Sequence, residues 1–295
     1  MGISAAQVKE LRECTGLGMM ECKNALVESD GDLDKAIELL RKRAGAKLEK
    51  KAGRIAAEGR VSTYVSDDRR LAAMAEVNCE TDFVAKEHGF IAFANAVAAC
   101  VATHNPADLP ALLAVPLQAG QSGTVAQAAE HLVARLSEKI GVRRFVRYEA
   151  SSGRLDSYVH GARIGVLVEL RGGDDTLAHD IAMHVAAMRP EHVSEEDVPP
   201  GLVSKEKEIL MEQVRDSGKP PEIIEKMIAG RLNKYLNEIS LLGQPFVKDT
   251  DTTVGKLLKA SDASVLRFCR YEVGEGIEKK TEDFAAEVMA QVEGG

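Results

Sequence analysis

Arg60-Val61-Ser62-Thr63-Tyr64-Val65 returns later in the chain as Arg154-Leu155-Asp156-Ser157-Tyr158-Val159. Each copy reads as a strand and is followed by a second strand-like apolar run, Leu71 to Val77 and Ile164 to Leu170. The two runs end alike, in Ala75-Glu76-Val77 and Val168-Glu169-Leu170. Each predicted hairpin leads into an alanine-rich helix, where Asn95-Ala96-Val97-Ala98-Ala99 is echoed by Met183-His184-Val185-Ala186-Ala187. Self-similarity of this kind predicts two related α+β halves. Further strands fit Arg143 to Glu149 and Val265 to Val273, which alternate apolar and polar residues in Arg144-Phe145-Val146-Arg147-Tyr148 and Arg267-Phe268-Cys269-Arg270-Tyr271. They would extend or close each sheet.

Working outward, the amino-terminal end reads as three short helices. The first puts Val8 and Leu11 on one face before the break at Thr15-Gly16-Leu17-Gly18, and the second starts at Met19 and carries Cys22, Leu26 and Val27. After Ser29-Asp30-Gly31, Asp32 can cap a third helix bearing Leu33, Ile37 and Leu40. So small a bundle covers its apolar surface poorly, so Leu17, Met19 and Met20 either plug its core or form an adaptable contact patch. The basic run from Arg41 to Arg54 lacks stacking aromatics and reads as a solvated helical linker in preference to an RNA contact.

Between the second repeat and the last strand, a long helical hairpin is predicted, with arms near Val203 to Asp216 and Pro221 to Ser240 turned by Ser217-Gly218-Lys219-Pro220. Its seam would hold Ile209, Leu210 and Val214 against Ile224, Met227, Ile228, Leu232 and Leu236. Such a buried stripe needs no partner, though the projecting pair could also serve association. The tail from Thr281 to Val292, with Phe284, Ala285 and Val288 on one face, would be stable as a helix only when docked. The expected divisions are 1–44 for the amino-terminal unit, 45–58 for the linker, 59–142 and 143–274 for the halves with a hairpin insert at about 203–240, and 275–295 for the tail.

A length of 295 residues favours two or three compact units. A net charge of -8 argues against a whole-protein footprint on nucleic acid and makes another protein the expected partner. The five scattered cysteines show no C-x-x-C spacing and read as reduced thiols in a cytosol. The first ten residues lack the basic start and apolar run of a signal peptide, and no stretch is long and apolar enough to span a bilayer, so a cytoplasmic protein without membrane contact is expected.

Chemistry is hard to find in this chain. No phosphate-cradling glycine loop is followed by Lys and Ser or Thr, and no G-x-S-x-G elbow occurs. Cys79 lies near His88 in sequence, but nothing orients that ring as a base, which favours a buried structural thiol over a nucleophile. His160, His179, His184 and His192 are spaced unlike a metal-ligand set. His160 differs from the others in lying within the turn Tyr158-Val159-His160-Gly161-Ala162-Arg163, where its ring either meets a partner or caps the turn.

Beyond the strand ending Asn78-Cys79-Glu80, the chain runs Thr81-Asp82-Phe83-Val84-Ala85-Lys86. Thr81 is placed to cap a short helix whose first turn holds Asp82 and Phe83 side by side at a projecting tip, unless Phe83 is buried. These residues resemble the signature of bacterial translation elongation factor Ts. Gly18-Met19-Met20-Glu21-Cys22-Lys23 resembles that family's amino-terminal loop and helix, and Tyr158 to Leu167 resembles its second hairpin. Ile181 to Ala187, Leu242-Gly243-Gln244-Pro245-Phe246-Val247 and Phe284-Ala285-Ala286-Glu287-Val288 extend the likeness over essentially the whole chain in order. The departures are Glu87 where the family often has Asp or Asn, Glu21 where Asp is common, and a longer segment around His104 to Gly123; none touches Thr81 to Val84.

The resemblance implies a guanine-nucleotide exchange factor without covalent chemistry or a cofactor, whose partner is elongation factor Tu, and a dimer of that complex is compatible with it. It implies that Thr81, Asp82, Phe83 and Val84 disturb the Mg²⁺ and phosphate site of the partner, with Met19, Met20, His160 and Phe284 as further contacts. The amino-terminal helices resemble a ubiquitin-associated domain, and the alternative is a binding module or scaffold that leaves nucleotide exchange untouched.

Overall fold

The computed structural model describes residues 3–51, 53–118, 123–150, 152–214 and 220–278. It begins with three helices, α1 (Ala5–Thr15), α2 (Met19–Glu28) and α3 (Leu33–Lys51). Ser4 and Gln7 form a reciprocal capping box at the start of α1, which stops at Gly16 in the left-handed conformation (φ 67°). Asp32 Oδ1 accepts from Lys35 N–H at the head of α3. Val8, Leu11, Leu17, Cys22 and Leu26 close the small core. The two readings of the loop divide between its residues, since Leu17 is buried while Met19 and Met20 are exposed. Val27 departs from expectation, exposed because it stands about 100° round the helix from the inward-facing Leu26. The expected linker is largely the continuation of α3, and the first strand starts only seven residues after α3 ends.

Strands β1 (Glu58–Val65), β2 (Leu71–Cys79) and β3 (Gly141–Glu149) form an antiparallel sheet in that order. The pairing of Ala75 with Phe145 and Met74 with Val146 carries the first half past the expected boundary at 142, because β3 finds its hydrogen-bond partners on β2. One face of the sheet is covered by α4 (Asp82–Ala85), α5 (His88–His104), α6 (Leu109–Ala114) and α7 (Val125–Leu136). Phe90, Phe93, Val97 and Val101 from α5 meet Ala73, Ala75 and Val77, the alternate residues of β2. Ala134 on α7 also joins the core of the three-helix unit and so ties that unit to the body.

The second half repeats the plan with β4 (Arg154–His160), β5 (Ile164–Arg171) and α8 (Asp175–Met188). Helices α9 (Pro200–Val214) and α10 (Pro221–Ile239) then pair through Leu210, Val214 and Ile228. Ile209, expected in that seam, is exposed, because its neighbour Leu210 takes the inward position. A two-stranded ribbon, β6 (Pro245–Phe246) with β7 (Asp249–Thr253), leads through α11 (Val254–Ala260) to β8 (Ser264–Glu272), the third strand of the sheet β4-β5-β8.

The two sheets pack face to face through the other set of alternate residues, Val61 and Met74 against Leu155 and Leu167. Their polar contacts are reciprocal. Arg144 donates from Nε to Glu76 (2.6 Å) and from Nη2 to the Glu272 carbonyl (3.1 Å), and lies 4.2 Å from the centre of the Tyr271 ring. Arg267 donates from Nε to Glu169 (2.7 Å) and from Nη2 to the Glu149 carbonyl (2.8 Å), and lies 4.1 Å from the centre of the Tyr148 ring. The backbone repeats the exchange, with Val61 N–H donating to Ala162 and Leu155 N–H to Arg69, whose φ values of 61° and 56° are both left-handed. A Cβ on Gly165 would stand 2.3 Å from Val61 Cγ1, so only glycine lets the sheets approach this closely.

Candidate functional site

Strand β2 ends at Cys79, and the chain must then turn into α5. It does so through two helix starts in succession. Thr81 Oγ1 accepts from Val84 N–H (3.4 Å) to open the single turn of α4, and Glu87 Oε2 accepts from Phe90 N–H (2.9 Å) to open α5. Arg135 on α7 holds the Glu87 carboxylate at 3.0 Å. Within α4, Val84 points into the core beneath the first sheet. Phe83, one residue round the turn, is 81% exposed. Burying a phenyl ring is worth about 1.5–3 kcal/mol, and this chain leaves that stabilisation unused. Asp82 is also exposed, and Lys86 Nζ donates to it at 2.6 Å across one turn, which holds its carboxyl below the ordinary aspartate range.

The base of the tip is fixed from a distant part of the sequence. Glu138, between α7 and β3, accepts at Oε2 from the backbone N–H groups of Glu80 (3.1 Å) and Thr81 (3.0 Å), and at Oε1 from the Thr81 hydroxyl (2.5 Å). Glu80 answers by accepting the Lys139 N–H at 2.6 Å. Arg54 Nη1 donates to both oxygens of Glu80 at 3.3 Å, and Lys139 Nζ donates to the Arg54 carbonyl at 2.8 Å, so the stretch after α3 ends in the same cluster. Sequence reading missed Glu138, because its partners lie 57 and 58 positions away and no local spacing marks it.

Cys79 is fully buried, and its thiol donates to the Thr81 carbonyl at 3.1 Å. Burial, reinforced by the negative charges of Glu138 and Glu58, pushes the thiol up to about 12, so it is protonated at neutral pH. His88 is exposed at the head of α5. Cys79 is therefore a structural thiol that helps shape the tip, not a nucleophile.

The other predicted contact residues lie apart from Phe83 in the chain. Met19 and Met20, 60% and 65% exposed, open α2. His160 ends β4 with its ring exposed and stacked on Tyr158, whose hydroxyl lies 3.2 Å from Nδ1, while its backbone carbonyl closes the turn by accepting Arg163 N–H. The imidazole is thus not the group that caps the turn. Tyr158 also meets His179 edge-on at 5.5 Å. Phe284 lies outside the described residues. His184 is wholly internal: Nδ1 accepts from Val247 N–H (3.1 Å), so Nε2 carries the proton given to Gln244 Oε1 (3.0 Å). Burial moves its pKa below the ordinary histidine value, against the opposing effect of Gln244. Among the described residues, no group of three or more His, Cys, Asp or Glu is arranged to hold a metal ion, and no helix is long and apolar enough to cross a membrane.

This is a duplicated α+β protein with an amino-terminal three-helix unit and an exposed ring on the connection between β2 and α5. The family model Elongation factor TS matches residues 80–275, which contain that tip, the helical hairpin and the whole second half. The chain is 59% identical over 294 residues to Elongation factor Ts of Alkalilimnicola ehrlichii, covering 100% of each. It is 59% identical over 295 residues to that of Thioalkalivibrio sulfidiphilus, again covering 100% of each. With the Legionella pneumophila protein of the same name it shares 52% identity over 290 residues, 98% of each chain. The chain belongs to the elongation factor Ts family.

Proposed function

We propose that this chain is the guanine-nucleotide exchange factor of elongation factor Tu, and that Thr81 to Val84 form the part that unseats GDP. The observation that carries the reading is the division of labour within α4: Thr81 and Val84 are tied into the body, while Phe83 is left 81% exposed. A ring held on so short and well anchored a turn can act as a wedge, since little of its binding energy goes into ordering the loop that carries it. Its target is the Mg²⁺ and β-phosphate site of the partner. Mg²⁺ demands nearly ideal octahedral geometry, so a small displacement of the groups around it weakens the nucleotide. Asp82, ionised beside Lys86, brings a negative charge to the same place.

Met19, Met20, His160 and Phe284 supply further contacts that seat the wedge. The exposure of Met19, Met20 and His160 is consistent with that role. Linkage then constrains the cycle, because a factor that weakens GDP binding is itself weakened by GDP to the same extent, typically about 1–3 kcal/mol. Exchange runs through a ternary complex that dissociates either way, and no bond in this chain is made or broken.

The test is release of labelled GDP from elongation factor Tu, with the wild-type chain and Phe83→Ala side by side. Phe83→Ala is expected to slow stimulated release at least about tenfold, equivalent to about 1.4 kcal/mol of barrier, with little change in thermal stability. Stimulation left at the wild-type level would remove Phe83 from the mechanism. Absence of stimulation by the wild-type chain would leave a binding module, a reading that the exposed Met19 and Met20 also support.

A further inference from the structure

We infer that Glu138 is the positioning residue of the exchange tip: it sets where Phe83 is presented without touching the partner itself. The inference rests on the reading that Phe83 is the displacing side chain. Three donors converge on this one carboxylate, the N–H groups of Glu80 and Thr81 on Oε2 and the Thr81 hydroxyl on Oε1. The β2 ladder pairs Cys79 with Glu58 at its end, so these N–H groups lie beyond the sheet's own pairing and are satisfied by Glu138 instead.

The hydroxyl bond does the most to fix geometry. Thr81 Oγ1 has one proton, and giving it to Glu138 leaves a lone pair for Val84 N–H, the contact that starts α4. The chain Glu138, Thr81, Val84 therefore fixes both ends of the four-residue stretch that contains Asp82 and Phe83. The return bond from Lys139 N–H to Glu80 makes the hold reciprocal between two segments. Glu138 is only partly buried, so its removal leaves the apolar core intact.

Glu138→Gln tests this, because an amide has one acceptor oxygen and presents a donor where either the N–H pair or the hydroxyl must find an acceptor. A displacement of about 1 Å in a working group can cost up to a hundredfold in rate. The expected result is a maximal rate of stimulated GDP release lowered about tenfold or more, while the factor concentration giving half-maximal stimulation changes less than about threefold. Thr81→Val should reproduce the loss, and the double variant should be no worse than the more severe single variant. It also replaces Glu138→Gln if that variant folds poorly.

Tip mobility can be read without the partner. The chain has no tryptophan, so Phe83→Trp supplies a single indole reporter. Its anisotropy decay should gain a fast nanosecond component when Glu138→Gln or Thr81→Val is added. An unchanged decay together with an unchanged maximal rate would overturn the inference, as would a rate loss that appears only as half-maximal concentration. If Phe83→Ala itself leaves GDP release unaltered, the exchange reading of the tip fails, and the anisotropy alone then decides whether Glu138 holds residue 83.

Discussion

Two connections in this molecule perform the same task, carrying the chain from the second strand of a sheet into the helix that covers it, and they do so in opposite ways. Between β2 and α5 there are eight residues, Glu80 to Glu87; between β5 and α8 there are three, Gly172 to Asp174. In the short connection Gly172 and Gly173 adopt φ values of 72° and 65°, and Asp174 caps α8 directly. A Cβ on Gly172 would lie 2.1 Å from the Asp262 carbonyl oxygen, so the backbone here rests against the turn before β8, and the exposed residues, two glycines and the capping Asp174, offer no apolar side chain. The longer connection spends its extra residues on α4 and ends in the exposed Phe83. The sheets and covering helices correspond closely, so the difference between the halves is concentrated in the connections.

Substitutions can break that contrast in order of effect. The largest expected loss is Gly172→Val, which forces a side chain into the left-handed region and against backbone; it should destabilise the protein by about 3 kcal/mol in urea unfolding. Next comes Glu76, which is fully buried between the sheets. Burial pushes its pKa up, but the Gly274 N–H, Arg144, Arg143 and Asn78 outweigh this and hold it below the ordinary value of 4.5. A depressed carboxyl stabilises above its unfolded pKa, and that contribution is lost as pH falls through the folded value. Glu76→Gln should therefore cost about 2 kcal/mol at pH 7, less than a fully buried pair because both arginines are partly exposed, and should flatten the acid limb of the stability profile below about pH 4.5.

Phe83→Ala in the long connection reverses the pattern. Stability should change by no more than about 0.5 kcal/mol, while stimulated GDP release drops at least about tenfold. The smallest effect concerns His184, for which the first half has Ala96 at the corresponding place in the helix repeat. Its lowered folded pKa means that the unfolded chain takes up the proton first. Stability from this group is complete above about pH 6.5 and declines as pH falls towards the folded value. The protection factors of α8 amides, corrected for the intrinsic pH dependence of exchange, should therefore fall between pH 7 and 5 more than those of α5, and His184→Gln should abolish the difference.

Much of the architecture could be read from sequence because the duplicated strands kept both period and residue type, as in Arg60 to Val65 and Arg154 to Val159. What could not be read depended on long-range choices. Assignment of β3 to the first sheet requires knowing that it pairs with β2 across four intervening helices. The ribbon strand Asp249 to Thr253 is polar throughout and shows no alternation. Helix α7 carries a local signal in the capping box of Thr124 and Gln127, but that box marks only where the helix starts and not that its apolar face joins α5 in one core. In the tip, the cap at Thr81 was legible, whereas the exposure of Phe83 beside a buried Val84 depends on how the turn sits on the sheet. Glu138 illustrates the limit of local reading, since an isolated Ser-Glu-Lys after a helix says nothing about a loop on the far side of α5.

The reciprocal contacts between the sheets, Arg144 on Tyr271 and Arg267 on Tyr148, have the form of an interface between two identical subunits. In such a dimer every change is made twice, so a lengthened connection would project two rings and a shortened one would project none. Joining both copies in one chain removes that obligation. The shared interface can stay self-complementary while one connection lengthens to carry an exposed ring and the other contracts to three residues, and a symmetric framework thereby supports a one-sided feature.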